Sequence, residues 1–178
     1  MELPRESESP AGRTAGRALH HTKNTLPEKI RLQVVEDLQS CLADTLDLMT
    51  QAKQAHWNVK GPSFIALHEL FDQVAEDLEG DVDLIAERIV QLGGVAEGTV
   101  RLAAAHSGLP EYPLGISDGR EHVEALSHAL AYFGERVRAA IGRADSLGDR
   151  DTADILTEVS RGVDQNTWFV EAHGQAEK

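Results

Sequence analysis

Aromatic side chains make up only 4% of this 178-residue sequence, and it contains a single cysteine. With Cys41 alone no internal disulfide can form, so a packed core has to hold the fold. No apolar run approaches the roughly 20 residues of a membrane span. The opening MELPRESESP lacks the apolar stretch of a secretion signal. Long alternating runs of β-branched residues are also missing. Ala, Leu, Glu and Asp dominate instead, which favours an all-α fold. Basic residues are in the minority: 17 Lys and Arg against 30 Asp and Glu leave a formal net charge of −13. A folded surface this acidic repels nucleic acid and concentrates cations. Cys41 lies beside Leu42 in a helical pattern and reads as a small buried residue in a reducing, cytoplasmic setting.

What is present is organised by helical periodicity. Residues 1–24 are rich in Gly, Ser, Arg and Thr without a period, and are expected to form a flexible tail ahead of one domain over 25–178. The tail sets Arg5, Arg13, Arg17 and Lys23 against Glu2, Glu6 and Glu8, a slight basic balance that permits a transient hold on phosphates. His20 and His21 could bind a metal loosely. A first helix is predicted from Pro27, with Thr25 and Glu28 at capping-box spacing. Its stripe runs Ile30, Val34, Leu38, Leu42, Leu46, Met49 and leads to His56. Gly61-Pro62 breaks the chain, and a second helix follows Ser63 and stops at Gly93-Gly94. The connection over 93–117 is long enough for a short helix at 99–107 and implies a crossover between helices that are not neighbours. A third long helix spans about 118–144, with His122 and His128 expected on its polar surface. An Asp-rich turn leads to a fourth helix that ends near Trp168. The sum is a four-helix bundle with a long crossover and one short extra helix inside it.

The second helix carries two rows. One is apolar: Leu67, Phe71, Val74, Leu78, Val82, Ile85, Ile89 and Leu92, in steps of three and four. The other, one position along, is made of His68, Asp72, Glu76, Glu79, Asp83 and Glu87. Charged rows of this kind are usually the solvated face of a helix. That reading does not account for the placement of the members about a point between Asp77 and Leu78. Asp72 and Asp83 stand roughly 16 Å apart along the axis, too far to share an ion within one helix. Two antiparallel copies about a dyad at that point bring His68 to the partner's Glu87 and Asp72 to the partner's Asp83, making two identical clusters. Glu76 and Glu79 are related in the same way and could form a further cation-transit site between those clusters.

The segments AHWNVKGPSFIALHELFD, DLIAERIVQLGGVAEGT, EYPLGI, DTADILTEVSR and TWFVEAH resemble the Dps family, the DNA-protecting mini-ferritins, over about residues 27–173. The most specific feature is H-x11-H-x3-D-x10-D-x3-E, met by His56, His68, Asp72, Asp83 and Glu87 without substitution. The resemblance implies a ferritin-like bundle that assembles as a hollow dodecamer. In it, His56, His68 and Asp72 face Asp83 and Glu87 of the two-fold mate and bind iron. It further implies Fe(II) oxidation by hydrogen peroxide, storage of ferric mineral in the cavity and protection of DNA. Trp57 and Trp168 are implied as neighbours that take up oxidising equivalents, and Asp149 and Asp154 as carboxylates of three-fold pores. Imidazole with carboxylate suits Fe(II), and Zn(II) competes for the same donors. The alternatives carried forward are a DNA-compacting, nucleoid-associated shell that acts through its tail, and a metal-storing shell with little oxidase activity.

Overall fold

The structure, a computed structural model, describes residues 18–175. Five helices follow in order: α1 (Glu28–Asn58), α2 (Phe64–Gln91), α3 (Val100–His106), α4 (Gly119–Ser146) and α5 (Arg150–Gln175). Among the described residues the only bridge of β type is an isolated one between Lys60 and Asp118. Two antiparallel hairpins, α1–α2 and α4–α5, pack against each other, and α3 lies on α1. The bundle is the all-α, ferritin-like arrangement expected, with the crossover after the second helix.

The chain ends of the helices show why they stop where they do. At the end of α2, Gly93 adopts φ +89°, its N–H donates to the Val90 carbonyl (2.9 Å), and Gly94 N–H donates to Ile89 (2.9 Å). Those two bonds close the helix in a Schellman motif, and the left-handed residue is glycine because a Cβ there is strained. The same device ends α4: Gly148 has φ +82°, and Gly148 and Asp149 donate to Asp145 and Ala144. No residue intervenes before α5. Asp149 therefore closes one helix through its N–H and opens the next through its side chain, which accepts from Thr152 N–H at 3.1 Å. At the start of α4, Asp118 and Glu121 form a reciprocal capping box.

The apolar row of α2 is buried as read, from Leu67 and Phe71 to Ile89 and Leu92, with Val82 only partly covered. The stripe of α1 departs from expectation. Val34, Leu38 and Leu42 are buried, but the line then passes to Leu48, Ala52 and Ala55, leaving Leu46 and Met49 at the margin. Successive steps of four overshoot a 3.6-residue turn, so a strict i+4 row slides off the core face. His56 consequently sits at the rim of the core and not inside it.

Two further expectations at the start of the chain are corrected. Residues 18–24 are not a loose tail: His20 N–H donates to the Gly93 carbonyl at 2.7 Å and ties the segment to the end of α2. Thr25 and Glu28 form no capping box. The N-cap is Pro27, and the preceding turn is held by Asn24, whose side-chain oxygen accepts from Leu26 N–H (2.9 Å). His20 and His21 are exposed. The basic residues Arg5, Arg13 and Arg17 lie outside the described residues.

Between α2 and α5 the half-buried Asp81 has its carboxyl pushed up to about 7 by burial, and further by the charges of Asp77 and Glu158. Its unfolded value is near 3.9, so between about pH 4 and 7 the folded chain holds a proton that the unfolded chain has lost. Stability from this group is complete below that window and is lost as the pH rises through it. Asp81→Asn is expected to flatten the decline of the thermal midpoint across the window and to raise it above pH 7. Superimposable pH curves for the two proteins would refute this.

Candidate metal centre

α1 delivers His56 in its last turn, and the short turn through Gly61, with φ +111°, reverses the chain so that α2 delivers His68 one turn in. The two rings stack with centroids 3.7 Å apart and planes 20° from parallel. Each Nδ1 lies 2.8 Å from the other residue's backbone carbonyl. A carbonyl can only accept, so both Nδ1 atoms carry the proton and donate it. That fixes both tautomers and leaves each Nε2 lone pair unspent for a metal ion. Asp72, one turn beyond His68, brings its Oδ1 to 3.9 Å from His56 Nδ1.

Lys53 completes this corner. Its ammonium group is hydrogen bonded to Asp72 Oδ1, and that bond above all holds the Asp72 carboxyl below the usual range. Sequence reasoning missed Lys53, although it is three residues before His56 on the same helix and so shares its face. A lysine here places a positive charge where a metal ion would be drawn. Lys53→Gln is expected to tighten the binding of the first divalent ion, because the ion no longer displaces an ammonium group from Asp72. Calorimetric titration with Zn(II) as a redox-inert probe reads this, and unchanged or weaker affinity would count against it.

Asp83 and Glu87 are exposed on α2, about four and five turns from His68, and do not reach this corner. Among the described residues, no three His, Cys, Asp or Glu side chains within one chain converge to hold a metal ion. One chain therefore places a stacked histidine pair with Asp72 beside it at one end of α2, and Asp83 and Glu87 nearer the other, without closing a metal site by itself. Around the histidine corner the surface is apolar and open: Trp57 is 67% exposed, Ile65 61%, and Phe64 43%. Trp168 on α5 is 60% exposed. Glu76 and Glu79 are also exposed between the two halves of the row.

Two sequence expectations fail in this region. Asp149 is not an open pore carboxylate. It is 2% exposed, and Oδ1 accepts from Arg88 Nη2 at 2.8 Å while Oδ2 accepts from Thr152 Oγ1 at 2.6 Å. Its place between α4 and α5 consumes the side chain as a cap. Asp154, the other expected pore residue, is exposed. His122 is not a surface residue either: it is 1% exposed, with Nδ1 2.7 Å from the Tyr112 hydroxyl. His128 is exposed as expected. Cys41 is buried beside Asp44, and burial pushes its thiol up to about 12, leaving it inert.

A four-helix bundle with one long crossover, bearing imidazole and carboxylate donors on a single hairpin, is the architecture of ferritin-like proteins. The ferritin-like domain family matches residues 35–177. A DNA protection during starvation protein of Agrobacterium fabrum is 44% identical over 156 residues, covering 88% of this chain and 96% of that protein. DpsC from Streptomyces coelicolor superposes with a TM-score of 0.85 at 31% identity, over 90% of this chain and 94% of that one. Mycobacterium smegmatis Dps superposes with a TM-score of 0.83 at 31% identity, over 88% and 89%. The chain belongs to the Dps family of ferritin-like proteins.

Proposed function

We infer that the protein is an iron-storing ferroxidase that oxidises Fe(II) with hydrogen peroxide at sites shared between two subunits. The single observation that carries this is the pair of histidines whose Nδ1 protons are locked to backbone carbonyls, leaving two Nε2 lone pairs free beside an apolar, uncovered surface. An isologous partner laid across α2 brings its own Asp83 and Glu87 to that corner and covers Trp57, Phe64 and Ile65 in the same step. The set of His56, His68, Asp72, Asp83 and Glu87 joins imidazole nitrogen to carboxylate oxygen, which suits Fe(II); Zn(II) is the competing occupant. Iron here is the substrate. Two Fe(II) and one peroxide consumed together remove both reactants of hydroxyl-radical formation, which is the chemistry that DNA protection requires.

Storage of the ferric product calls for a closed shell, and a hollow dodecamer is the assembly proposed, with exposed Asp154 at its cation entrances. Glu76 and Glu79 would sit near the dyad as a transit site; unchanged iron uptake in Glu76→Gln/Glu79→Gln removes that role. Among the described residues no helix is long and apolar enough to cross a membrane. The reading is of a cytoplasmic protein, nucleoid-associated to the extent that the basic residues of the first 17 positions hold DNA. The names of the relatives support a DNA-protecting role. The experiment is to add Fe(II) anaerobically, then peroxide or oxygen, and follow ferric absorbance in wild type and Asp83→Asn. Faster oxidation by peroxide, abolished in the variant, is the expected result. Equal slow oxidation in both would refute it and favour a metal-storing or DNA-binding shell.

A further inference from the structure

Behind the histidine corner lies a polar pair that the metal centre does not use. Tyr112, from the crossover, and His122, from the first turn of α4, are 8% and 1% exposed. Their rings are 6.1 Å apart, and the hydroxyl lies 2.7 Å from His122 Nδ1. His122 Nε2 is the one buried side-chain polar atom among the described residues with no hydrogen-bond partner. The Tyr112 hydroxyl is therefore the one close hydrogen-bond partner of the ring. The pair meets the two helices that carry the centre at residues next to its histidine and aspartate in the chain. The His122 ring is 6.4 Å from that of Phe71, the residue before Asp72. The Asn58 carbonyl, two residues after His56, acts on the imidazole as a weak hydrogen-bond acceptor. Tyr112 and Trp57 line the same groove beside α1.

The tautomer follows from these contacts. Were Nδ1 the donor, the phenolic proton would lack an acceptor, and the Nε2 lone pair would point toward the Asn58 carbonyl. Tyr112 therefore donates to Nδ1, and Nε2 carries the ring proton. Burial lowers the imidazole's pKa, against upward pulls from Glu121, the Asn58 carbonyl and Asp118, so Nδ1 is free to accept at neutral pH. Burial also raises the Tyr112 phenol, so phenolate is not accessible. Such a phenol gives up an electron only together with its proton, and the one base in reach is His122.

We propose that Tyr112 and His122 form a proton-coupled redox pair: Tyr112 supplies an electron to the iron site and passes its phenolic proton to His122 Nδ1. This rests on the peroxide-driven iron oxidation proposed above. When a single Fe(II) is bound, peroxide has two electrons to take and iron gives one. Fe(II), H2O2, two protons and the Tyr112–His122 pair yield Fe(III), two waters, a neutral phenoxyl and an imidazolium. The peroxide O–O bond breaks, and iron and tyrosine are each oxidised by one electron. A second Fe(II) then reduces the phenoxyl, the proton returns from Nδ1, and the pair is reset. Summed, two Fe(II), one peroxide and two protons give two Fe(III) and two waters. The pair prevents release of a hydroxyl radical when a site is half-loaded.

The test is rapid-freeze electron paramagnetic resonance on the assembled full chain, loaded anaerobically with one Fe(II) per site and mixed with one equivalent of hydrogen peroxide. Wild type and Tyr132→Phe, which alters the only other tyrosine, are expected to give a tyrosyl signal that Tyr112→Phe loses. His122→Gln keeps an acceptor for the hydroxyl but no base, and is expected to lose the signal with Tyr112 still in place, which a packing role would not produce. A spin trap should report hydroxyl radical from Tyr112→Phe at one Fe(II) per site and none from wild type. Ferric product without a Tyr112-dependent radical in wild type overturns the pair and leaves the ferroxidase reading standing. No ferric product from wild type at any loading overturns both. A metal-free arm, in which azidyl radicals from pulse radiolysis oxidise the protein, separates the chemistry of the pair from that of iron. Phenoxyl absorbance there should depend on both Tyr112 and His122, and equal absorbance in Tyr112→Phe overturns the pair.

Discussion

Dimers formed from an equal mixture of His68→Ala and Asp83→Asn chains should recover about a quarter of wild-type ferroxidase sites by random pairing, while neither variant recovers any alone. The reason lies in where the two residues stand on α2. His68 belongs to the corner closed by His56 and Lys53, and Asp83 to the carboxylate pair 15 residues further on. In a mixed dimer one site collects both lesions and the other collects none. Half of randomly formed dimers are mixed, and half of their sites are intact, which gives the quarter. A mixture of His68→Ala with His56→Ala is the control: both lesions fall on the same half of the proposed site, every dimer is defective twice, and recovery is nil. Each single variant should lose more than the roughly 10–100-fold typical of removing a group one shell further from a metal. Recovery in the control, or none in the first mixture, would place the complete site within one chain.

The largest stability effect is expected at Arg88. Its guanidinium is buried, donating from Nε to Thr152 Oγ1 at 2.8 Å and from Nη2 to Asp149 Oδ1 at 2.8 Å. Removing one partner of such a pair leaves an unpaired charge out of water. Arg88→Ala should therefore cost about 3–5 kcal/mol, lowering the thermal midpoint by roughly 10 °C or more. Asp149→Ala should cost at least as much, since it also removes the α5 cap, worth about 1 kcal/mol. The double substitution should cost markedly less than the two losses added, because neither orphaned charge remains. Additive losses, or a fall below about 1 kcal/mol in Arg88→Ala, would show that the pair is dispensable to the fold.

Residues whose environment is local were the legible ones. The apolar row of α2 could be read because its steps of three and four track one face of a helix, and the spacing of the chemical row beside it is the basis of the proposed dyad. The motif from His56 to Glu87 gave the family. What escaped depends on distant partners. Asp149 looked like one acid among several in a charged turn; its burial is decided by Arg88, 61 residues earlier in the sequence. His122 looked polar and exposed beside His128, but Tyr112 reaches it from an irregular connection that has no period to read. The α1 stripe failed for another reason, the drift of an i+4 row. Lys53 was within reach of the same spacing argument that found the histidines.

The histidine corner has a further property that follows from the topology. His56 and His68 are joined to each other's backbone across 12 residues, entirely within the hairpin of α1 and α2. The crossover separates that hairpin from α4 and α5, which contribute no donor to it. Contacts so close in sequence have a low entropic cost of closure and form early. A chain leaving the ribosome amino-terminus first has therefore made both imidazoles available before the second half of the bundle has been synthesised. Under the proposed two-subunit site, what a newly made subunit lacks is a partner chain and not the completion of its own fold.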